Sequence, residues 1–129
     1  MRPETEEWIK QAEYDLDTAK LMYHGGRYIY TLFMCHLAIE KGLKAYLVES
    51  SGETPPRTHD LIILMKKGNP PLTDQQQETV SRFAILGVAT RYPASLSRAL
   101  KQFSKDVATE YLDRAQEVVE CLQKGLLMK

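Results

Sequence analysis

The chain reads as an all-α protein, an antiparallel up-and-down bundle of four long helices plus one short helix. Three observations predict it. Apolar residues recur at three- and four-residue steps through most of the 129 residues. No run of period-two alternation marks a strand. Glycine and proline fall mainly between the helical stretches, where they act as punctuation. The length suits a single domain over residues 1–129, and an apolar fraction of 43% is enough to fill one core.

The first helix is expected over about Pro3 to Met22. Pro3 suits a first helical position, and Glu4, Glu6 and Glu7 favour the positive end of the helix dipole. Trp8, Ile9, Ala12, Leu16, Ala19 and Tyr23 share its apolar face, and Gly25-Gly26 ends it. A second helix follows from about Arg27 to Ser50, folded back on the first by the short Gly-Gly link. It carries two apolar stripes, one through Tyr28, Leu32, Cys35, Ile39, Leu43 and Tyr46, the other through Ile29, Phe33, His36, Glu40, Leu43 and Leu47. Two stripes are more than one neighbour covers, which predicts a two-fold homodimer.

Gly52 and Pro55-Pro56 make the next segment a loop. Thr58 is expected to cap a short third helix bearing Leu61, Ile62, Leu64 and Met65, which Gly68-Asn69-Pro70-Pro71 breaks. Thr73 or Asp74 caps a fourth, with Val80, Phe83, Ile85 and Leu86 on its apolar side. It ends near Arg91-Tyr92, because Pro93 disfavours helical geometry at Tyr92. Residues 94–103 read either as a surface loop or as a frayed helical turn. Ser104 caps the last helix, with Val107, Tyr111, Leu112, Ala115, Val118, Val119 and Leu122 at helical period.

Composition excludes several function classes. No apolar run approaches the length of a membrane span, and the start is acidic and helix-patterned rather than a basic, apolar signal, so a cytoplasmic location is expected. Cys35 and Cys121 form no CxxC pair and read as buried free thiols in a reducing cytosol. The three histidines do not supply a ligand set, so neither a metal nor another cofactor is expected. Seventeen basic residues balance seventeen acidic ones, but unevenly: residues 61–103 hold six Lys/Arg against two Asp/Glu. That basic third suits either an ordinary solvated surface or contact with phosphate or an acidic partner.

Three polar groupings stand out. His36, Glu40 and Lys44 follow each other at steps of four on the second helix; Glu40–Lys44 is a favourable ion pair, expected at the edge of the core. Read functionally, the trio is a polar groove where Lys44 or Lys41 meets phosphate. Arg57-Thr58-His59-Asp60 lies at a helix start, where free backbone N–H groups attract an anion, unless Thr58 and packing of His59 account for it. Arg91-Tyr92-Pro93 ends a helix, and an arginine beside a tyrosine can clamp a phosphate and stack on a base.

In order, these groupings resemble the HEPN domain family. Phe33-Met34-Cys35-His36-Leu37-Ala38-Ile39-Glu40-Lys41-Gly42-Leu43-Lys44-Ala45 is similar to that family's second-helix signature. Trp8, Ala12, Asp15-Leu16 and Ala19 are similar to its first helix. Thr58-His59-Asp60-Leu61 and Arg91-Tyr92-Pro93 are similar to its later motifs, so the likeness spans about residues 8–122. His36 and Leu37 depart from a common glutamine pair, and Gly42 from an alanine, at about 1 kcal/mol of helix propensity unless close packing needs it. The resemblance implies a self-pairing helical bundle that partners a small nucleotidyltransferase in a toxin–antitoxin-like pair. It also implies nucleotide binding, with Glu40, Lys41, Lys44, His59, Arg91 and Tyr92 as the ligand-facing candidates. The bundle further resembles the helical domain of aminoglycoside nucleotidyltransferases.

Many HEPN proteins are metal-independent ribonucleases with an arginine followed, four to six residues on, by a histidine. That spacing is absent: Arg57 precedes His59 by only two, and Arg27 lies too far ahead of His36. There is no GxSxG elbow and no phosphate-binding glycine loop. A non-catalytic binding module is therefore the leading expectation. The alternatives are a ribonuclease toxin with a rearranged site, acting on RNA through His59 and Arg91, and a purely structural helical module.

Overall fold

A computed structural model describes residues 1–128. Six helices account for most of the chain: α1 (Pro3–His24), α2 (Tyr28–Ser51), α3 (Leu61–Gly68), α4 (Asp74–Arg91), α5 (Leu96–Gln102) and α6 (Lys105–Leu127), with no strand among the described residues. Four are long enough to form the walls. The segment that the sequence left open between loop and frayed turn is the short α5, started by the Ser95 hydroxyl accepting from the Arg98 N–H.

Local chemistry explains the boundaries. Thr73, rather than Asp74, caps α4: its hydroxyl accepts from the Gln76 N–H while the Gln76 side chain accepts from the Thr73 N–H. The Ser104 hydroxyl accepts from the Val107 N–H to start α6, as expected. At α3 the cap is Asp60, not Thr58. Asp60 Oδ1 accepts from the N–H groups of Ile62 and Ile63 at 2.9 and 3.4 Å, and the Thr58 hydroxyl instead accepts from the Asp60 N–H. The helix start thus has its donors occupied, and the anion site expected from free N–H groups there is filled by the protein's own carboxylate.

α2 is the central helix. α1, α6, α4 and α3 all pack against it, and both of its apolar stripes are covered inside one chain: Leu32, Cys35, Ile39 and Leu43 are almost inaccessible. A helix apolar most of the way round belongs at the middle of a bundle. Its excess apolar surface is satisfied intramolecularly and no longer argues for a second copy. Gly42 also finds its reason here, because a Cβ would come within 3.0 Å of Leu122 Cδ1 on α6. Burial pushes the Cys35 thiol up to about 12, which keeps it an unreactive core residue. Cys121 is half-buried.

Large apolar residues are exposed on several helices, Tyr14 and Leu21 on α1, Tyr30 on α2 and Ile63 on α3 among them. Ile85, Val88 and Tyr92 at α4 and its end, with Leu96 and Leu100 on α5, are all exposed. No helix is long and apolar enough to cross a membrane.

Candidate functional site

The polar trio of α2 is buried, not marginal. Glu40 is only 3% exposed, and His36 and Lys44 flank it on the same line of the helix. Lys44 Nζ donates to Glu40 Oε2 at 3.2 Å and lies 5.3 Å from the centre of the Trp8 ring, so the ammonium sits between a carboxylate and an aromatic face. On the other side, the His59 Nδ1–H donates to both Glu40 oxygens, at 3.0 and 3.1 Å. His36 Nε2 stands 3.6 Å from Oε1, beyond hydrogen-bond length; with Nδ1–H committed to a carbonyl, the contact is attractive only in the doubly protonated ring. Burial by itself raises a carboxyl pKa. Here it is outweighed by the His36 contact, the Lys44 charge and the hydrogen bonds from His59 and Lys44, which bring Glu40 down to about 2. The site therefore keeps a carboxylate charged inside the bundle.

α4 was shaped to receive this column. The His36 Nδ1–H donates to the Phe83 carbonyl at 3.0 Å, one turn ahead of Gly87, and a Cβ on Gly87 would overlap the imidazole. Glycine at that point of a helix is unfavourable by about 1 kcal/mol relative to alanine. Its presence is explained by the close approach of the ring.

Above the column lies a cleft of about 390 Å³ between the α3 start and α4, lined by His36, His59, Asp60, Ile62, Ile85, Gly87, Val88 and Arg91, among others. Arg91 is half-buried, its guanidinium 5.1 Å from the centre of the Phe33 ring, which orients it from below. His59 is carried by the irregular segment between α2 and α3. Its side chain is 66% exposed, and Glu40 is its one hydrogen-bond partner among the described residues. The cleft thus combines an apolar wall, one guanidinium, two imidazoles and Asp60, whose Oδ1 is committed to the α3 start.

The six candidates do not share one place. His59 and Arg91 line the cleft together, and Glu40 lies directly beneath His59. Lys44 points to the Trp8 side of Glu40 and does not line the cleft. Lys41 turns toward α1, where its ammonium is 2.7 Å from the carboxylate of buried Asp15. Tyr92, highly exposed, lines a neighbouring groove of about 370 Å³ with Pro93, Ser95 and Arg98; Val88 lines both. Sequence reasoning missed Gly87 and the cleft-lining role of His36. A lone glycine inside a helical run is the signal that marks such a close approach.

Among the described residues no group of three or more His, Cys, Asp or Glu side chains is arranged to hold a metal ion. No curated protein matches the chain. Among solved structures, the protein TT1696 from Thermus thermophilus superimposes with a TM-score of 0.82 at 20% identity, over 96% of this chain and 99% of that one. ST0689, described as an archaeal HEPN homologue, superimposes with a TM-score of 0.78, also at 20% identity, over 98% of this chain and 99% of that one. These likenesses carry the fold, and the HEPN domain family model matches residues 5–126. With that match spanning nearly the whole bundle, from α1 through the buried trio and the cleft to α6, the chain belongs to the HEPN domain family.

Proposed function

We propose that the chain is a non-catalytic helical module that binds a nucleotide through its phosphate in the His59–Arg91 cleft. In this reading it pairs with itself and partners a small nucleotidyltransferase in a toxin–antitoxin-like pair. The observation that carries the ligand part is the shared cleft. Two motifs 32 positions apart in sequence, at His59 and Arg91, meet in one concavity of about 390 Å³, within the range of small-molecule sites. Its guanidinium suits a phosphate, and its wall of Ile62, Ala84, Ile85 and Val88 suits an apolar ring face. Self-pairing is supported by the exposed apolar residues Ile85, Val88, Tyr92, Leu96 and Leu100, since exposed large apolar side chains gain from burial against a second copy. The nucleotidyltransferase partner rests on family membership.

Calorimetric titration with ATP and GTP, on wild type and Arg91→Ala, tests the ligand. Binding in the first, lost in the second, is the expected result. Light scattering at micromolar concentrations tests the dimer, and a monomeric mass throughout defeats it.

One observation favours a second reading, a ribonuclease with a rearranged site. Glu40 holds the His59 Nδ1–H, as a carboxylate orients a general-base histidine, and Arg91 lies in the same cleft to meet developing phosphate charge. RNA cleavage by the wild type, abolished in His59→Ala, would replace the non-catalytic reading. If neither binding nor cleavage is found, a purely structural module remains.

A further inference from the structure

We infer that the groove between the end of α4 and α5 docks an acidic segment of another protein, one with an apolar side. The groove adjoins the His59–Arg91 cleft at Val88, and the inference is independent of what that cleft holds.

The groove has a volume of about 370 Å³ and mainly apolar walls, Ala89, Pro93, Ala99 and Phe103 among them. Val88 and Tyr92 also line it, yet they are 72% and 81% exposed, so this chain leaves both largely uncovered. Burying such side chains is the ordinary gain when the apolar face of a partner is laid into a groove.

The charge around it has one sign. From Thr79 to Lys105 the chain has no Asp or Glu, against Arg82, Arg91, Arg98, Lys101 and Lys105. Arg98 lines the groove itself, and Lys101 follows it by three residues on α5, close enough to be its neighbour on the helix surface. Both are exposed, and among the described residues neither has an ion pair. Other arginines of this protein are matched within their helix, Arg82 by Glu78 and Arg114 by Glu110, each four residues earlier. The α5 cations have no such match. Four residues before them stand Ala94 and Ser97, and four after stand Gln102 and Lys105.

Three kinds of occupant can be compared on these terms. A nucleic-acid strand asks for a row of cations along its phosphates, and this chain of zero net charge sets only two beside aliphatic walls. A second copy, seated on the groove by a two-fold axis, brings Arg98 and Lys101 against their own images with no acid in the segment to separate them. Self-pairing is then left to exposed apolar residues that do not line the groove, such as Ile85, Leu96 and Leu100. An acidic segment with one apolar stripe meets both demands. Its stripe covers Val88 and Tyr92, and its carboxylates face Arg98 and Lys101.

The test uses three helical peptides with the same leucine stripe, flanked by glutamate, lysine or serine, and a short single-stranded oligoadenylate. Each is titrated onto the whole chain, read by anisotropy and by amide chemical shifts. The glutamate peptide is expected to bind about tenfold more tightly than the serine one, the worth of two partly exposed ion pairs. Its shifts are expected to centre on Val88, Tyr92 and Arg98. Arg98→Glu combined with Lys101→Glu, with an unchanged melting temperature as the check on folding, is expected to move the preference to the lysine peptide. Tyr92→Ser is expected to weaken the glutamate peptide and leave its charge preference in place. Equal binding of the glutamate and lysine peptides by wild type, shifts centred elsewhere, or no saturable binding of any peptide overturns the inference. Tighter binding of the oligoadenylate does the same in favour of nucleic acid. A dimeric mass that Tyr92→Ser turns monomeric gives the groove to a second copy and overturns it too.

Discussion

Two histidines reach the same carboxylate from different surroundings. His36 approaches Glu40 from within α2, is 3% exposed, and is roofed by α4 at Gly87. His59 approaches from an irregular segment and has most of its side chain in solvent. On the α1 side the column continues to Lys44 and Trp8, with little water to share the charge. On the α3 side it opens into the cleft. The same carboxylate therefore has buried neighbours on one side and an exposed one on the other. What separates the two is desolvation: a buried charge that loses its partner has no water to fall back on, and an exposed one does.

Removing each group in turn puts the contrast at greatest risk. Glu40→Ala leaves Lys44 and His36 without their carboxylate in the core, and a loss of about 3–5 kcal/mol in denaturant unfolding is expected. His59→Ala removes a contact from the same carboxylate on its solvent side, and should cost under about 1 kcal/mol. Equal costs for the two variants would show that the division into a buried and an open half is wrong.

Acid titration probes the buried half next. Glu40 ionises near 2 in the folded chain against an ordinary value of 4.5. A carboxylate lowered in this way stabilises the fold fully above the ordinary value, and the contribution fades as pH falls from about 5 toward 2. The stability at stake is about 3 kcal/mol. Thermal melts across that window should show a steeper decline in wild type than in Glu40→Gln; parallel curves would mean that Glu40 is not the group holding the charge.

A further test concerns the roof over His36. Gly87→Ala should improve helix propensity by about 1 kcal/mol yet destabilise the protein by about 2 kcal/mol, because the added methyl overlaps the imidazole. Placed on His36→Ala, the same change should become stabilising. A stabilising Gly87→Ala in the wild-type background would mean that the ring moves aside freely.

Much of the fold was legible because its determinants are local. The hydroxyl cap at Ser104, the α4 start at Thr73 or Asp74 and the Gly-Gly end of α1 are read within a few residues, and the apolar periodicity of α1, α2 and α6 needs no partner to be recognised. α5 is harder to read: with seven residues it has barely two turns over which a pattern can repeat. The α3 cap falls two positions beyond the expected one because Thr58 and Asp60 both have capping chemistry, and backbone geometry chose between them.

An all-helical chain, its family and a short set of polar residues worth watching all follow from the order of the residues. Which of those residues meet is a matter of packing. Lys41 and Lys44 are three residues apart on one helix, yet one pairs with Asp15 and the other with Glu40. His59 and Arg91, far apart in the chain, line one cleft. Periodicity records which face of a helix a residue occupies, because that follows from 3.6 residues per turn. Which neighbour covers that face, and hence whether a charge is buried or left open to a ligand, depends on how the helices pack.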